Sequence, residues 1–150
     1  MRTVVQRVSS ARVEVDGQTV GRIDRGVLAL VAAFEGDTDK DRLWTAKKLA
    51  ELRIFPDDEG KMNRSVQDVG GSILLVSNFT VAGDTRKGTR PSYAKAMHPD
   101  RAQPMIDQLA DDIRAFGVPV ETGRFGAMMQ VSLVNDGPVT VILESPAANG

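Results

Sequence analysis

The sequence predicts an α+β domain in which mainly antiparallel β-sheets form a barrel-like core with two principal helices. Short segments in which apolar and polar residues alternate, separated by turn signals, dominate the chain. They favour hairpins, which pair strands antiparallel. Two longer segments place apolar residues at helical spacing instead. The chain has 150 residues, 41% hydrophobic and 26% charged, without repeat, low-complexity segment or linker, so we expect one domain over residues 1–150.

Strands are expected first along the chain. Two segments alternate in polarity, and Asp16-Gly17 is a strong turn signal that returns the chain as a hairpin. A continuous apolar run then indicates a strand buried on both faces. The predicted strands of this part are residues 2–8, 11–15, 18–23 and 27–33.

Two helices are predicted. The first begins after Thr38, a suitable N-cap, and the second covers roughly residues 100–116 with Gly117 as its C-cap. Pro104 suits the second helix only in the first turn, where its missing N–H costs little. The inward residues are Leu43, Ala46, Leu49, Ala50 and Ile54 in the first helix and Ile106, Leu109, Ile113 and Phe116 in the second.

The remaining strands surround a proline in an unusual place. We predict strands at residues 72–78, 128–134 and 139–144, a long polar loop at residues 80–99 and a frayed tail at residues 145–150. Asp136-Gly137 would turn the last two strands into a hairpin, but Pro138 follows at once and has no N–H to donate. It either caps an edge strand or holds the Gly137 and Pro138 carbonyls where another group uses them.

Composition excludes several kinds of site. The chain has no cysteine, one histidine and no phosphate-loop motif, so we expect no metal and no cofactor. His98 could complete a Ser-His-Asp triad, or it is a surface residue beside a helix start. No apolar run approaches 18 residues and the N-terminus lacks a signal-peptide pattern, which favours a cytoplasmic protein without a membrane partner.

Two polar segments remain as candidates. Ser77-Asn78-Phe79-Thr80 ends an apolar strand, where backbone N–H groups leave the ladder; the alternative is a polar strand end with Phe79 in the core. The net charge of −1 argues against general nucleic-acid coating but leaves a local basic patch open. That patch comprises Arg86, Lys87 and Arg90 with Lys95 nearby, and a solvated loop is the alternative reading.

At these residues the sequence resembles the bacterial and eukaryotic type of D-aminoacyl-tRNA deacylase, nearly over its full length. The family signature N-x-G-P-[VT]-[VT] is intact at Asn135–Thr140, whereas S-Q-x-T is present with Asn78 in place of glutamine. Met128 replaces a frequent aspartate. The stretches that carry the resemblance are Val5–Val8, Leu52–Phe55, Gly60–Asn63, Ser65–Gly71, Gly123–Gly126 and Met129–Thr140.

The resemblance implies a homodimeric proofreading hydrolase of translation. It would hydrolyse the ester between a D-amino acid and the terminal adenosine of tRNA, and would reject L-aminoacyl groups. In the family the Gly-Pro peptide bond is cis and reaches the active site of the partner subunit, which assigns chiral selection here to Gly137 and Pro138. Phe125 and Met129 resemble pocket residues, with core packing as the alternative, and Arg7 either braces the Gly-Pro turn or faces solvent.

The chemistry expected at the strand end needs no metal. We assign oxyanion stabilisation to backbone N–H groups around Asn78 and Phe79, and water positioning or attack to Thr80. Attack by water, assisted by the substrate ribose hydroxyl, is favoured because no base is evident beside Thr80. The basic loop would hold the tRNA acceptor end. An inactive dimeric RNA- or protein-binding module of the same fold, or hydrolysis of another small ester, are the alternatives.

Overall fold

The computed structural model describes residues 1–146. The elements are β1 (Arg2–Val15), β2 (Gln18–Ile23), β3 (Gly26–Ala32), α1 (Asp39–Glu51), β4 (Phe55–Pro56), β5 (Met62–Arg64), β6 (Ser72–Ser77), a 3-10 turn (Phe79–Ala82), α2 (Pro99–Ala115), β7 (Val120–Thr122) and β8 (Gln130–Glu144). The segments predicted as strands at residues 2–8 and 11–15 form the single strand β1.

The six-stranded sheet is built around β1. Its order is β2-β1-β3-β6-β7, and β8 pairs with β1 along the other edge. The β1 pairs are antiparallel, whereas β3–β6 and β6–β7 are parallel. At the far side β2 approaches β7 so closely that a Cβ on Gly21 would lie 2.4 Å from the Thr122 carbonyl oxygen. The α+β class and the barrel-like, mainly antiparallel sheet are therefore confirmed.

Apolar side chains fill both faces of this sheet. One cluster lies inside the barrel and includes Val8, Leu28 and Val76. The other packs α1 and α2 against the outside of the sheet, where Leu109 and Ile113 are fully buried. Burying such a side chain contributes about 1.5–3 kcal/mol. The strand ends of β3 and β6 lie between the two clusters.

The helices follow the prediction with four exceptions. Thr38 is the N-cap of α1, but Leu43 is 52% exposed and Ile54 lies beyond the helix end at Glu51. In α2, Phe116 is 38% exposed, because it follows the last helical residue. Pro104 lies inside α2, beyond the first turn in which it was expected.

The predicted hairpin at Asp136-Gly137 is wrong. Residues 130–144 form one strand, because β1 continues past the turn signal and offers a pairing partner on both sides of it. Val8 pairs with Asn135 and Gln6 pairs with Thr140, so Arg7 alone faces the four residues 136–139. Residues 136–139 therefore form a wide bulge, which we call the Gly-Pro bulge.

The segment that follows β8 is anchored by its first residue, Ser145. Ser145 is buried; its N–H donates to the Met1 carbonyl and its hydroxyl donates to Asp41 Oδ1 over 2.7 Å. The frayed tail expected from residue 145 therefore does not include Ser145. The part of that prediction at residues 147–150 lies outside the described residues.

Candidate active site

The end of β6 presents free backbone donors. The Asn78 N–H donates to the Val31 carbonyl over 2.8 Å, continuing the parallel pairing of β3 and β6. Phe79 and Thr80 open the 3-10 turn, and within residues 1–146 their N–H groups have no hydrogen-bond partner. The free donors are thus those of Phe79 and Thr80, whereas the Asn78 N–H, expected to be available, is occupied.

The Asn78 and Thr80 side chains are joined. The Thr80 hydroxyl donates to Asn78 Oδ1; Thr80 is exposed and Asn78 is half-buried. The Thr80 proton is therefore directed at the amide oxygen, which leaves the lone pairs of Thr80 Oγ1 to accept from water. No carboxylate or imidazole hydrogen-bonds to this hydroxyl in the described chain.

A cavity of about 960 Å³ opens beside this strand end. Ser77, Asn78 and Phe79 line it. Phe79 is 58% exposed and meets Tyr93 edge to face with ring centroids 5.2 Å apart, so it does not enter the core. Tyr93 belongs to the long loop and was missed by the sequence analysis.

The other residues that line the cavity fall into two groups, which we call lobes. The first, the barrel lobe, continues the inside of the barrel and is lined by Leu28, Leu30, Val76, Met129, Val131 and Leu133, with Phe125 and Gln6 also on the cavity wall. The second, the alanine lobe, lies against the start of α2. It is lined by Ala33, Ala94, Ala96, Ala102 and Pro99, with Met97, Ile106, Glu35 and His98. The structure thus brings the predicted Phe125 and Met129 together with Ser77–Phe79.

The Gly-Pro bulge does not line this cavity. Asp136, Gly137 and Pro138 are exposed, and the peptide bond between Gly137 and Pro138 is cis. Arg7 Nε donates to the Asp136 carbonyl over 2.9 Å, and Arg7 Nη1 donates to the Ile54 carbonyl over 2.7 Å. The Arg7 side chain is only 12% exposed, so it holds the bulge from beneath instead of facing solvent.

Asn135 closes the base of the same bulge. Its Oδ1 accepts from the Val139 N–H over 2.8 Å, and its Nδ2 donates to Thr140 Oγ1 over 3.1 Å. The asparagine of the signature therefore replaces ladder hydrogen bonds lost where the strand bulges. This positioning residue was not among the predicted site residues, although its fixed place three residues before Pro138 was visible in the sequence.

Comparison with known proteins gives the family. Residues 4–144 match the family described as D-Tyr-tRNA(Tyr) deacylase. This chain belongs to that family. A D-aminoacyl-tRNA deacylase of Chloroherpeton thalassium is 56% identical over 147 residues, covering 97% of each chain. One of Geobacter sulfurreducens is 57% identical over 145 residues, covering 97% of this chain and 95% of the relative.

Two solved structures share the fold of this chain. A structure titled c-Myc DNA Unwinding Element Binding Protein has a TM-score of 0.92 at 38% identity, covering 97% of this chain and 99% of the other. A probable eukaryotic D-amino acid tRNA deacylase has a TM-score of 0.82, covering 95% and 97%. Its identity of 18% shows a shared fold alone.

The basic loop of this deacylase carries fewer free cations than its sequence suggested. Arg86 forms an ion pair with Asp84, with 2.7 Å between Nη2 and Oδ2. The hydrogen bonds from the Arg86 side chain and N–H hold the pKa of Asp84 far below its usual range. Lys87 and Arg90 are exposed and have no ion-pair partner within residues 1–146. Two of the three predicted tRNA-binding cations are thus free to meet phosphate.

A second polar cluster of the deacylase lies at the alanine lobe. Glu35 Oε1 accepts from Arg101 Nη2 over 2.6 Å and from the His98 N–H over 2.9 Å. The Arg101 hydrogen bond, followed by that of His98, lowers the pKa of Glu35 below its usual value. His98 Nδ1 accepts from the Asp100 N–H as the N-cap of α2, a structural position that argues against a triad.

Neither a metal centre nor a membrane segment is evident in the described part. No group of three or more potential ligand residues is placed to hold a metal ion in residues 1–146. None of the helices there is long and apolar enough to cross a membrane.

Proposed function

We propose that this D-aminoacyl-tRNA deacylase hydrolyses its substrate where the end of β6 meets the cavity. The observation that supports this proposal is the free N–H group of Phe79, a residue that lines a cavity large enough for an aminoacylated nucleoside, with the free N–H group of Thr80 next to it in the chain. Both belong to the segment that resembles the first family signature. Full-length similarity to relatives named D-aminoacyl-tRNA deacylase supports the substrate class.

The chemical step needs little beyond orientation and charge stabilisation. The ester carbonyl oxygen accepts from the Phe79 and Thr80 N–H groups, which stabilise the tetrahedral oxyanion; one such donor is worth about 2.7–4 kcal/mol. Water attacks the acyl carbon, the bond to the ribose oxygen breaks, and the water proton passes to that oxygen. The products are a free amino acid and tRNA. Thr80 Oγ1 positions the water, since its own proton is directed at Asn78 Oδ1.

Chiral selection is assigned to the Gly-Pro bulge. Every side chain must be accepted, so the enzyme reads the α-amino group and the hydrogen on Cα. The Gly137 and Pro138 carbonyls accept from the amino group, and the bulge blocks the direction that an L side chain would take. Arg7 and Asn135 hold these atoms in place.

A homodimer supplies the bulge to the cavity. Gly137 and Pro138 are exposed and do not line the cavity of their own chain, so a second copy must deliver them if they select the substrate. β8 has no strand partner on its outer edge in the described chain, and it exposes Val134 and Ile142 at 56% and 61%. Long unprotected edges with apolar side chains favour association.

The deciding experiment compares four substrates with one enzyme preparation: D-tyrosyl-tRNA, L-tyrosyl-tRNA, glycyl-tRNA and the ethyl ester of D-tyrosine. We expect hydrolysis of D-tyrosyl-tRNA and of glycyl-tRNA, because glycine has no Cβ for the bulge to exclude. L-tyrosyl-tRNA and the ethyl ester should remain intact. Binding of tRNA without hydrolysis would indicate the inactive binding module, and inert glycyl-tRNA would refute the steric account of chiral selection.

A further inference from the structure

Glu35 has a carboxylate oxygen held in place without a protein partner. Its Oε1 receives hydrogen bonds from both Arg101 and the His98 N–H, which fix the carboxylate against the start of α2. Its Oε2 has no hydrogen-bond partner within residues 1–146, although Glu35 lines the cavity. An acceptor oriented by two donors at a cavity wall is arranged to meet a donor on a ligand.

The alanine lobe that Glu35 borders suits a flat ring. Most of its other lining residues have short side chains, four alanines and Pro99, with Met97 and Ile106 as the larger ones, and such a lining leaves room for a planar group. The barrel lobe is instead lined by larger aliphatic side chains on β3, β6 and β8 and by Met129. The alanine lobe is therefore the better site for a nucleobase, and Glu35 supplies a charged acceptor at its edge.

The substrate has one donor suited to this position. The proposed function places the ester at Phe79 and Thr80, so the α-amino group and the ribose hydroxyls stay close to that strand end. The exocyclic amine of the terminal adenine is the donor most distant from the ester. A carboxylate can accept a hydrogen bond from an exocyclic base amine, as Glu and Asp do from the amine of cytosine in nucleic-acid recognition.

We propose that Glu35 is a specificity-determining residue whose Oε2 accepts a hydrogen bond from the 6-amino group of the substrate's 3′-terminal adenine. This inference rests on the proposed function. It assigns base reading to a residue outside both family signatures. Loss of a hydrogen bond to a charged group costs roughly 10- to 100-fold in affinity.

Replacement of Glu35 by glutamine should invert the preference of the enzyme for the group at position 6 of the terminal base. Arg101 and the His98 N–H are both donors, so the glutamine oxygen must face them. Its NH₂ group then faces the alanine lobe, where a carboxylate oxygen stood before. The Glu35→Gln variant would therefore favour a base with a 6-carbonyl group over one with a 6-amino group.

The experiment uses tRNAs that end in adenosine, purine riboside or inosine, each charged with D-phenylalanine. For the wild type, kcat/KM should fall roughly 10- to 100-fold when the 6-amino group is removed or replaced by oxygen. Glu35→Ala should treat the three tRNAs alike within about twofold, and Glu35→Gln should prefer inosine over adenosine. Glu14→Gln is the matched control, since Glu14 is also paired with an arginine but does not line the cavity.

The outcomes separate this inference from the proposed function. Equal wild-type rates on all three tRNAs, or an unchanged adenosine preference in Glu35→Gln, would overturn the base-reading assignment and leave the deacylase activity standing. No wild-type hydrolysis of the adenosine-terminated substrate would overturn both. If Glu35 has only a structural role, its replacement should lower the rates on the three tRNAs by the same factor relative to the wild type. That result would also contradict the proposal.

Discussion

At the scale of single residues, Thr80 distinguishes two mechanisms. Its hydroxyl is bonded to an amide oxygen, which cannot remove a proton, so water is the expected nucleophile. Thr80→Ala should therefore lower kcat by less than about tenfold, whereas loss of a true nucleophile costs about 10⁶-fold. Single-turnover deacylation of D-tyrosyl-tRNA measures the effect, with Thr80→Ser as the control that keeps the hydroxyl. Inactivity of Thr80→Ala together with a trapped acyl-enzyme in the wild type would establish covalent catalysis.

Gly137 is constrained in two ways. Its φ of +145° is a region that other residues rarely occupy, and an added Cβ would lie 2.8 Å from Val139 Cγ2. A residue in such a conformation costs about 1–3 kcal/mol. We expect Gly137→Ala to displace the Gly-Pro bulge and to lower kcat/KM for D-tyrosyl-tRNA at least roughly tenfold.

Gly17→Ala is the matched control for this substitution. Gly17 also has a positive φ, +78°, but an added Cβ there would meet nothing within 4 Å among residues 1–146. The Gly17→Ala variant should lose stability through backbone strain while its kcat/KM stays at the wild-type value. Equal activity in the two variants would show that the Gly-Pro bulge takes no part in catalysis.

At the scale of elements, the cations of the basic loop should contribute unequally to tRNA binding. Among residues 1–146, Lys87 and Arg90 have no ion-pair partner, whereas Asp84 neutralises Arg86. Lys87→Gln and Arg90→Gln should each raise KM and reduce the slope of log KM against log salt by about 0.7–0.9. Arg86→Gln should change that slope much less. A slope change for Arg86→Gln as large as that for Lys87→Gln would mean that the Asp84 pair opens on tRNA binding.

Helix α1 depends on a buried carboxylate at its first turn. Burial raises the pKa of Asp41, but hydrogen bonds from the Thr38 N–H and the Ser145 hydroxyl outweigh it and lower the pKa below the ordinary 3.8. The carboxylate therefore stabilises the fold above pH 4, and this contribution is lost as the pH falls through the lowered pKa. Asp41→Asn should reduce the free energy of unfolding at pH 7 by about 1–2 kcal/mol.

The pH dependence tests the cause of that loss. Between pH 4 and pH 2 the free energy of unfolding should fall less steeply in Asp41→Asn than in the wild type, as followed by urea denaturation. Asp107→Asn, at an exposed position on α2, is the control. A parallel decline in all three proteins would assign the acid sensitivity to other carboxylates.

Local patterns predicted the elements better than their pairing. Helix starts, β2 and β6 were predicted within a residue or two, because caps, turn glycines and apolar runs act over a few neighbours. The hairpin at Asp136-Gly137 was wrong because β1, more than 120 residues earlier, offers partners on both sides of the turn signal. The two-residue β4 and the three-residue β5 and β7 are too short for periodicity to reveal them.

In the candidate site, too, local sequence signals predicted the residues, whereas contacts that depend on the fold were missed. Ser77–Phe79, Phe125 and Met129 were predicted, and one cavity unites them. The occupied Asn78 N–H and the Asp84–Arg86 pair could not be foreseen, because each depends on a partner that only the fold supplies. Glu35 escaped notice for the same reason, since nothing near it in the sequence marks the donors of α2.

At the scale of the whole molecule, the cross-subunit site can be tested by mixing two inactive variants. Gly137→Ala impairs the Gly-Pro bulge, and Ala127→Trp fills the cavity that Ala127 lines. If each active site combines one subunit's cavity with its partner's bulge, a heterodimer carries one doubly defective site and one native site. Refolding the two variants together should restore about a quarter of the wild-type activity, since half of the dimers are mixed and each has one native site of two.

The pattern of restoration identifies the arrangement of the site. If bulge and cavity act within one chain, neither site of the heterodimer is intact, and the mixture stays as inactive as its components. A covalently linked dimer with both substitutions in one subunit is the control: it should retain no native site in the cross-subunit arrangement, but one in the single-chain arrangement. Activity of that linked dimer, with none in the mixture, would therefore place the chiral selector in the same subunit as Phe79 and overturn the dimeric site.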